Sequence, residues 1–240
     1  LTYARWPQVD PMAENYYPQS PYAFCNNNPI KYVDLDGREW KSFEDKEIAQ
    51  QIQTEIASKL ALLSKKETKV NAKIESIKNN TKLNSKKKSS QIAKQERHLN
   101  VIAVEKGNLS DLSAGINEIG ASVSVFTFKT ETVNGAGYVG TDRNGLTTLY
   151  NDGSIGNRVH ETTHGVQVAR GLVVVNANGM PQPGTKLGLG AREIPAYQNQ
   201  FSITGTAPTS TAGGTPESII DINLPWLRGI QNSNGTFIYK

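Results

Sequence analysis

Apolar residues recur at helical spacing through the middle of the chain. Those on one predicted helix face lie three or four positions apart, namely Ile48, Ile52, Ile56, Leu60 and Leu63. A polar run at 81–90 interrupts this stripe, which then resumes. The pattern predicts a long antiparallel helical hairpin over residues 41–106, with its tip near Lys82–Ser90.

Residues 107–240 combine helical and strand periodicity. Helical patterns cover 109–119, 155–170 and 191–202, with a shorter one at 219–222. Alternating or β-rich patterns cover 122–130, 146–150 and 172–175. Ser154 is a suitable N-cap and Gly171 a suitable stop for the middle helix. The fold class expected for this region is α+β.

The first 40 residues have a different composition. Proline, asparagine, tyrosine and aspartate are frequent, and turn signals recur, as at Asp10-Pro11 and Asn28-Pro29. Such a segment needs partner strands for stability. We therefore divide the sequence into three segments, 1–40, 41–106 and 107–240.

Charge follows the same division and changes how the basic composition is interpreted. The chain carries a net +4, but 41–106 holds 15 basic and 8 acidic residues, whereas 107–240 holds 8 basic and 9 acidic. Most of the lysines lie off the apolar stripe, which favours a solvated helix face. The run Lys86–Lys88 is the best position for a nucleic-acid or membrane contact, but no aromatic residues accompany it. Nucleic acid is not an expected partner.

The remaining composition excludes several classes. A single cysteine cannot form an internal disulfide. No apolar run approaches the roughly 18 residues that a membrane span requires, so no membrane span is expected. The first residues lack the basic-then-apolar pattern of a signal peptide, so no targeting signal is expected within the chain.

The chemistry is concentrated in His160-Glu161-Thr162-Thr163-His164, which has the spacing HExxH. Histidines four apart on a helix lie on one face, so both imidazoles can bind one ion. Zn²⁺ is the expected metal, because it accepts nitrogen and oxygen ligands and keeps a position for water in catalytic sites. Glu161 is placed to take a proton from that water. The alternative is an ordinary pair of histidines on an amphipathic helix.

A third protein ligand is needed. The HExxHxxGxxH extension is excluded, because Gln167 and Arg170 stand where it requires glycine and histidine. The acidic residues downstream are Glu193, Glu217 and Asp221, of which Glu193 is favoured because it lies on a predicted helix after a long loop. An ordinary helix N-terminal acid is the alternative interpretation of Glu193.

Two further residues, Tyr197 and His98, are candidates for a role at the site. Tyr197, one helical turn beyond Glu193, is either a hydroxyl donor to a developing oxyanion or a packed aromatic. The third histidine, His98, is expected at a solvated helix position rather than at the metal.

The motif and the Glu193 helix resemble the zincin metallopeptidases whose third ligand is glutamate, in particular the short metallopeptidase domains found as bacterial toxin modules. The resemblance implies peptide-bond hydrolysis, with His160, His164 and Glu193 binding zinc and Glu161 activating water. It also implies that an edge strand before the motif helix pairs with an extended protein or peptide substrate. Leu146–Tyr150 would take that role.

Residues 1 to about 37 resemble the end of the Rhs repeat-associated core domain, through stretches such as Asp10–Tyr17 and Ser20–Asp34. This resemblance implies a large secreted parent polypeptide with a variable C-terminal toxin. The expected partners are then the Rhs core itself and a cognate immunity protein, and the expected location is outside the producing cell or at its surface.

Two other functions remain open at this point. Residues 107–240 could form a non-catalytic zincin-like scaffold, with the basic hairpin binding a protein or nucleic acid. An amidase acting on cell-wall peptides would share the zinc chemistry.

Overall fold

A computed structural model describes residues 40–122, 124–132, 136–232 and 234–239. The segment that resembles the Rhs core, residues 1 to about 37, therefore lies outside the described residues. Trp40 is buried and stacks on Phe128, with ring centroids 5.0 Å apart. The Rhs resemblance and the three-segment division of the sequence stay predictions.

The predicted hairpin is confirmed as two long helices, α1 (Phe43–Asn79) and α2 (Ser85–Gly120). They run antiparallel, as shown by a hydrogen bond from Gln53 Nε2 to the Ser113 carbonyl at 2.9 Å and by a 3.2 Å salt bridge between Lys59 and Glu105. The connection is shorter than the polar run suggested. Asn84 ends it by accepting the Lys87 amide at 2.9 Å, a capping contact that lets the lysine-rich residues begin the helix.

The prediction of a separate helix at 109–119 is wrong, because α2 continues without a break through Gly107. One exposed glycine costs a helix only about 0.5–1 kcal/mol. The apolar stripe on the far side of Gly107 outweighs that cost, since its members are all buried: Leu109, Leu112, Ile116 and Ile119.

The sheet has three strands, β1 (Phe126–Thr130), β2 (Tyr138–Thr141) and β3 (Thr147–Asn151), in the order β1-β3-β2. β3 is parallel to β1 and antiparallel to β2. β3 is therefore the central strand, and the prediction that Leu146–Tyr150 is an edge strand is wrong.

Other strand predictions were only partly correct. The predicted strand at 122–130 is present only from Phe126, whereas β2 was not predicted. At 172–175 the structure has one isolated bridge, between Val175 and Pro181, in place of a strand. The helices and the small sheet confirm an α+β fold class; the zincin fold itself stays a prediction.

The predicted motif helix is confirmed as α3 (Ile155–Ala169), which packs on β2 and β3. It approaches its neighbours closely because it and α2 have glycines at the contacts. A methyl group on Gly165 would lie 3.0 Å from Leu149 Cδ2, and one on Gly115 of α2 would lie 2.3 Å from Val166 Cγ1. These contacts bury the apolar side of α3, including Val159 and Val166.

The last helices are α4 (Leu189–Thr204), a 3₁₀ turn (Ile219–Asp221) and α5 (Leu224–Arg228). The helices predicted at 191–202 and at 219–222 are thereby confirmed. Helix α5 was not predicted. An apolar cluster joins α4 to the chain that follows it, with the buried members Tyr197, Ile222, Trp226, Leu227 and Ile230.

The chain is divided into two compact units. One contains the described residues up to Ile52 together with those of Ala114–Leu187, and so holds the sheet and α3. The other contains Gln53–Ser113 together with Gly188–Lys240, and so holds α4 and α5. Among the described residues, no helix has the length and apolar character needed to cross a membrane.

Candidate metal centre

The helix that carries the histidine motif begins at a capped residue. Ser154 has an extended conformation, and its hydroxyl accepts the Asn157 amide at 3.2 Å. The two threonines inside the motif are buried, and each donates its hydroxyl to a carbonyl four residues earlier: Thr162 to Arg158 at 2.6 Å and Thr163 to Val159 at 3.0 Å. Both buried hydroxyls therefore have hydrogen-bond acceptors within the helix, and the motif does not interrupt it.

His160 and His164 face each other one turn apart, as predicted. Their Nε2 atoms are 3.2 Å apart and the rings are inclined at 68°. Two nitrogens, each about 2.05 Å from a tetrahedral zinc ion, would lie about 3.3 Å apart. The histidine pair therefore fits a single tetrahedral ion with little rearrangement.

Gln167 lies beside the second histidine of the motif. Its Oε1 atom lies 3.1 Å from His164 Nδ1. Because an amide oxygen only accepts, this contact favours the tautomer of His164 that is protonated at Nδ1, which leaves the Nε2 lone pair for a metal. The position of Gln167, three residues after His164 on the same helix face, is a sequence signal for this contact.

Glu161 is buried, with 3% of its surface exposed. Asn157 Nδ2 lies 3.5 Å from its Oε1 atom, at the outer limit of a hydrogen bond. The backbone preceding β2 also approaches closely, because a methyl group added to Gly137 would lie 2.6 Å from Glu161 Oε1. A side chain at 137 would press on the Tyr150 carbonyl oxygen, at 2.5 Å, and on this carboxylate.

The described residues contain one group of three potential ligands, and it consists of His160, His164 and Glu193. One ligand atom from each lies within 4.8 Å of the others. These three residues could therefore bind a metal ion, and the donor set of two imidazoles and a carboxylate is one that zinc accepts in catalytic sites.

The other candidate ligands have different roles. Asp221 Oδ2 accepts the amides of Glu217 and Ser218, at 3.1 and 2.8 Å, and so caps the 3₁₀ turn. Glu217 and His98 are exposed. Of the three acidic residues considered from the sequence, Glu193 is the one grouped with the two histidines, and its role as a metal ligand stays a prediction.

Tyr197 packs in the apolar cluster and also keeps a polar contact. Its ring meets Trp226 edge to face, with centroids 5.2 Å apart, and its hydroxyl lies 3.0 Å from that of Tyr239. Tyr239 in turn donates to Glu193 Oε2 at 3.2 Å. Burial raises the pKa of the Tyr239 hydroxyl far above its usual value, so the group stays protonated and remains a donor. Tyr239 was not predicted from the sequence, because nothing in its spacing connects it with Glu193. A role for Tyr197 as an oxyanion donor stays a prediction.

No family model, curated protein or solved structure matches this chain. The side-chain arrangement is accordingly the basis for the functional proposal.

Proposed function

We propose that this protein is a zinc-dependent endopeptidase. The observation that carries the proposal is the convergence of His160, His164 and Glu193 beside a buried Glu161. Either histidine spacing or a nearby carboxylate alone would be weak support. Together they provide three ligands and a proton acceptor, which is the minimum set for metal-assisted hydrolysis.

When bound, zinc would supply Lewis acidity that polarises a carbonyl group and lowers the pKa of water. The residues of the chain divide the remaining work. His160, His164 and Glu193 would hold the ion, and Gln167 would keep His164 in the tautomer that binds it. Glu161 would accept the proton of the attacking water and pass it to the leaving amine. Tyr197, the other catalytic residue proposed from the sequence, would act only if its hydroxyl reached the substrate.

The substrate we propose is an extended polypeptide. β3 is paired on both sides, so it cannot accept another strand. β2 is at one edge of the described sheet, and Gly137 brings the chain just before it close to Glu161. At the far end of β2 the Thr141 amide already donates to the Asn176 carbonyl at 3.2 Å, so pairing would use the end near Gly137. Pairing with the edge of β2 would place a peptide bond near the proton acceptor.

The biological setting that we propose rests on the sequence resemblances. The end of an Rhs core, followed by a metallopeptidase domain, would make this chain the effector module of a secreted bacterial polypeptide. Its partners would be a protein substrate, the Rhs core of the same parent and an immunity protein.

Metal analysis and a proteolysis assay test the proposed activity. The purified protein is expected to contain about one zinc per chain and to cleave unfolded casein, with loss of cleavage after chelation and recovery on adding zinc. Glu161→Gln should retain zinc and lose about 10²–10⁴-fold of the activity, the usual contribution of general acid–base catalysis.

Full activity in Glu161→Gln would refute the mechanism. If the purified protein binds no zinc, this result would support the alternative of a non-catalytic scaffold. In that alternative the basic hairpin binds a protein or nucleic acid. A proteomic comparison of cells exposed to the active and the Glu161→Gln proteins would then identify the substrate.

A further inference from the structure

The carboxylate of Glu193 is held by a residue far from it in sequence. Tyr239, 46 positions later, donates its hydroxyl to Glu193 Oε2 at 3.2 Å. The Tyr239 hydroxyl is also 3.0 Å from that of Tyr197, which lies one turn after Glu193 on α4. The three side chains form a continuous series of polar contacts within one compact unit.

The direction of these hydrogen bonds follows from the chemistry of the groups. An ionised carboxylate only accepts, so the Tyr239 proton points at Glu193. With that proton committed, the Tyr239 oxygen is left to accept from Tyr197. The series therefore runs from Tyr197 through Tyr239 to Glu193, and a hydrogen bond to an ionised acceptor is the stronger kind.

Both tyrosines are fixed by their surroundings. The Tyr197 ring is 9% exposed and packs on Trp226. Tyr239 packs against the same apolar cluster. The chain before it is anchored by a hydrogen bond from the Ile238 amide to the Ile230 carbonyl at 3.0 Å, and by the Asn232 side chain, which accepts the Thr236 amide at 3.0 Å. Rigid supports of this kind let a hydroxyl set the orientation of its acceptor.

We propose that Tyr239 is a positioning residue for metal binding. By holding Oε2 of Glu193, it would direct the other carboxylate oxygen to the ion, and Tyr197 would act through Tyr239. The inference rests on the proposed function, because it assumes that Glu193 is a zinc ligand. Groups that orient metal ligands in this way usually change metal affinity by about 10–100-fold when removed.

The test measures zinc affinity by competition with a chromophoric chelator, without any activity assay. Tyr239→Phe keeps the ring and removes the hydroxyl, so zinc should bind about 10–100-fold more weakly. Tyr197→Phe should have a smaller effect in the same direction. The double variant should match Tyr239→Phe alone, because two groups acting in series are not additive.

Ser202→Ala is the matched control. It removes a hydroxyl that is fully buried on the same helix and has no hydrogen-bond partner among the described residues. Zinc affinity should be unchanged in this variant. The rise in Tm on adding zinc separates positioning from simple stability, since it depends on metal affinity and not on the starting Tm.

Wild-type zinc affinity in Tyr239→Phe would overturn the positioning role and leave the proposed function intact. Equal and additive losses in the two single variants would overturn the serial arrangement. An unaltered protein that binds no zinc would overturn both proposals. Should Tyr239→Phe fail to fold, Tyr197→Phe decides, because a wild-type affinity there refutes the series.

Discussion

The two helices that carry the candidate metal ligands contrast in where the contacts of those ligands come from. On α3 the cap, both histidines and the residue that contacts His164 all lie between positions 154 and 167. On α4 the carboxylate of Glu193 accepts from a hydroxyl 46 residues away. Local helix geometry is enough to bring the two histidines together, whereas the contact of Glu193 with Tyr239 requires tertiary structure. The histidine pair should therefore tolerate distant changes that disturb Glu193.

The largest effect should come from removing a ligand on α3. His160→Ala or His164→Ala leaves one imidazole, so zinc affinity should fall by more than the roughly 100-fold upper range for indirect effects. Glu193→Ala should weaken binding less, because the facing histidine pair remains. Chelator competition on the three variants measures this order.

His98→Ala is the control for loss of a histidine elsewhere, since His98 is exposed on α2. Its zinc affinity should equal that of the unaltered protein. Unchanged affinity in Glu193→Ala would mean that the third ligand lies elsewhere and would break the contrast between the helices.

A large effect on catalysis, together with a loss of stability, should follow from Gly137→Ala. The added methyl group would lie 2.5 Å from the Tyr150 carbonyl oxygen and 2.6 Å from Glu161 Oε1, so it would strain the pairing of β2 with β3 and displace the carboxylate. A displacement of about 1 Å at a reacting group costs about 100-fold in rate. Zinc content should stay at one per chain, because Glu161 is not a ligand. Parallel assays of casein cleavage and zinc content test this separation.

Cleavage at the normal rate in Gly137→Ala would show that Glu161 is not the proton acceptor. It could otherwise arise only if the chain at β2 moved to make room for the new methyl group. Gly107→Ala serves as the control, because a methyl group there meets nothing within 4 Å.

A moderate effect on stability should follow from Gly115→Ala, which tests how firmly α3 is held. The new methyl group would lie 2.3 Å from Val166 Cγ1. Valine has few alternative rotamers on a helix, so the overlap should lower the free energy of unfolding by about 1–3 kcal/mol. Urea denaturation with and without zinc measures the change. A neutral result would mean that α2 and α3 separate easily.

The smallest effect should come from the same substitution at Gly107, about two turns before Gly115 on α2. Gly107→Ala should raise the free energy of unfolding by about 0.5–1 kcal/mol, because alanine loses less backbone entropy in an exposed helix. Urea denaturation of both variants measures the changes in the free energy of unfolding, which should have opposite signs although both substitutions lie on α2. A loss of stability in Gly107→Ala would indicate that α2 is broken at this position.

The parts of the structure that could be predicted from sequence are those with local causes. The two hairpin helices follow from the apolar stripe, and α3 follows from Ser154 and the helical spacing after it. The histidine pair follows from the same helix period. Glu193 could be ranked above Glu217 and Asp221 only by its place on a predicted helix, and its nearness to the histidines needed the structure.

The failures have non-local causes. Alternation identified β3 as a strand but contained no information about its pairing, so its central position was missed. Gly107 resembled a helix boundary because local helix propensity does not include the free energy gained by burying Leu109 and Leu112. Tyr239 could not be found at all, since its contact with Glu193 is created by the packing of the apolar cluster.

The contact between Tyr239 and Glu193 also has a consequence for biosynthesis. A ribosome adds about 5–20 residues per second, so the 46 residues between them take roughly 2–9 seconds to synthesise. During that interval both histidines and Glu193 have been made, but the hydroxyl that orients the carboxylate has not. We expect zinc captured in that interval to exchange readily, and tight binding to begin only after Tyr239 has been added and packed.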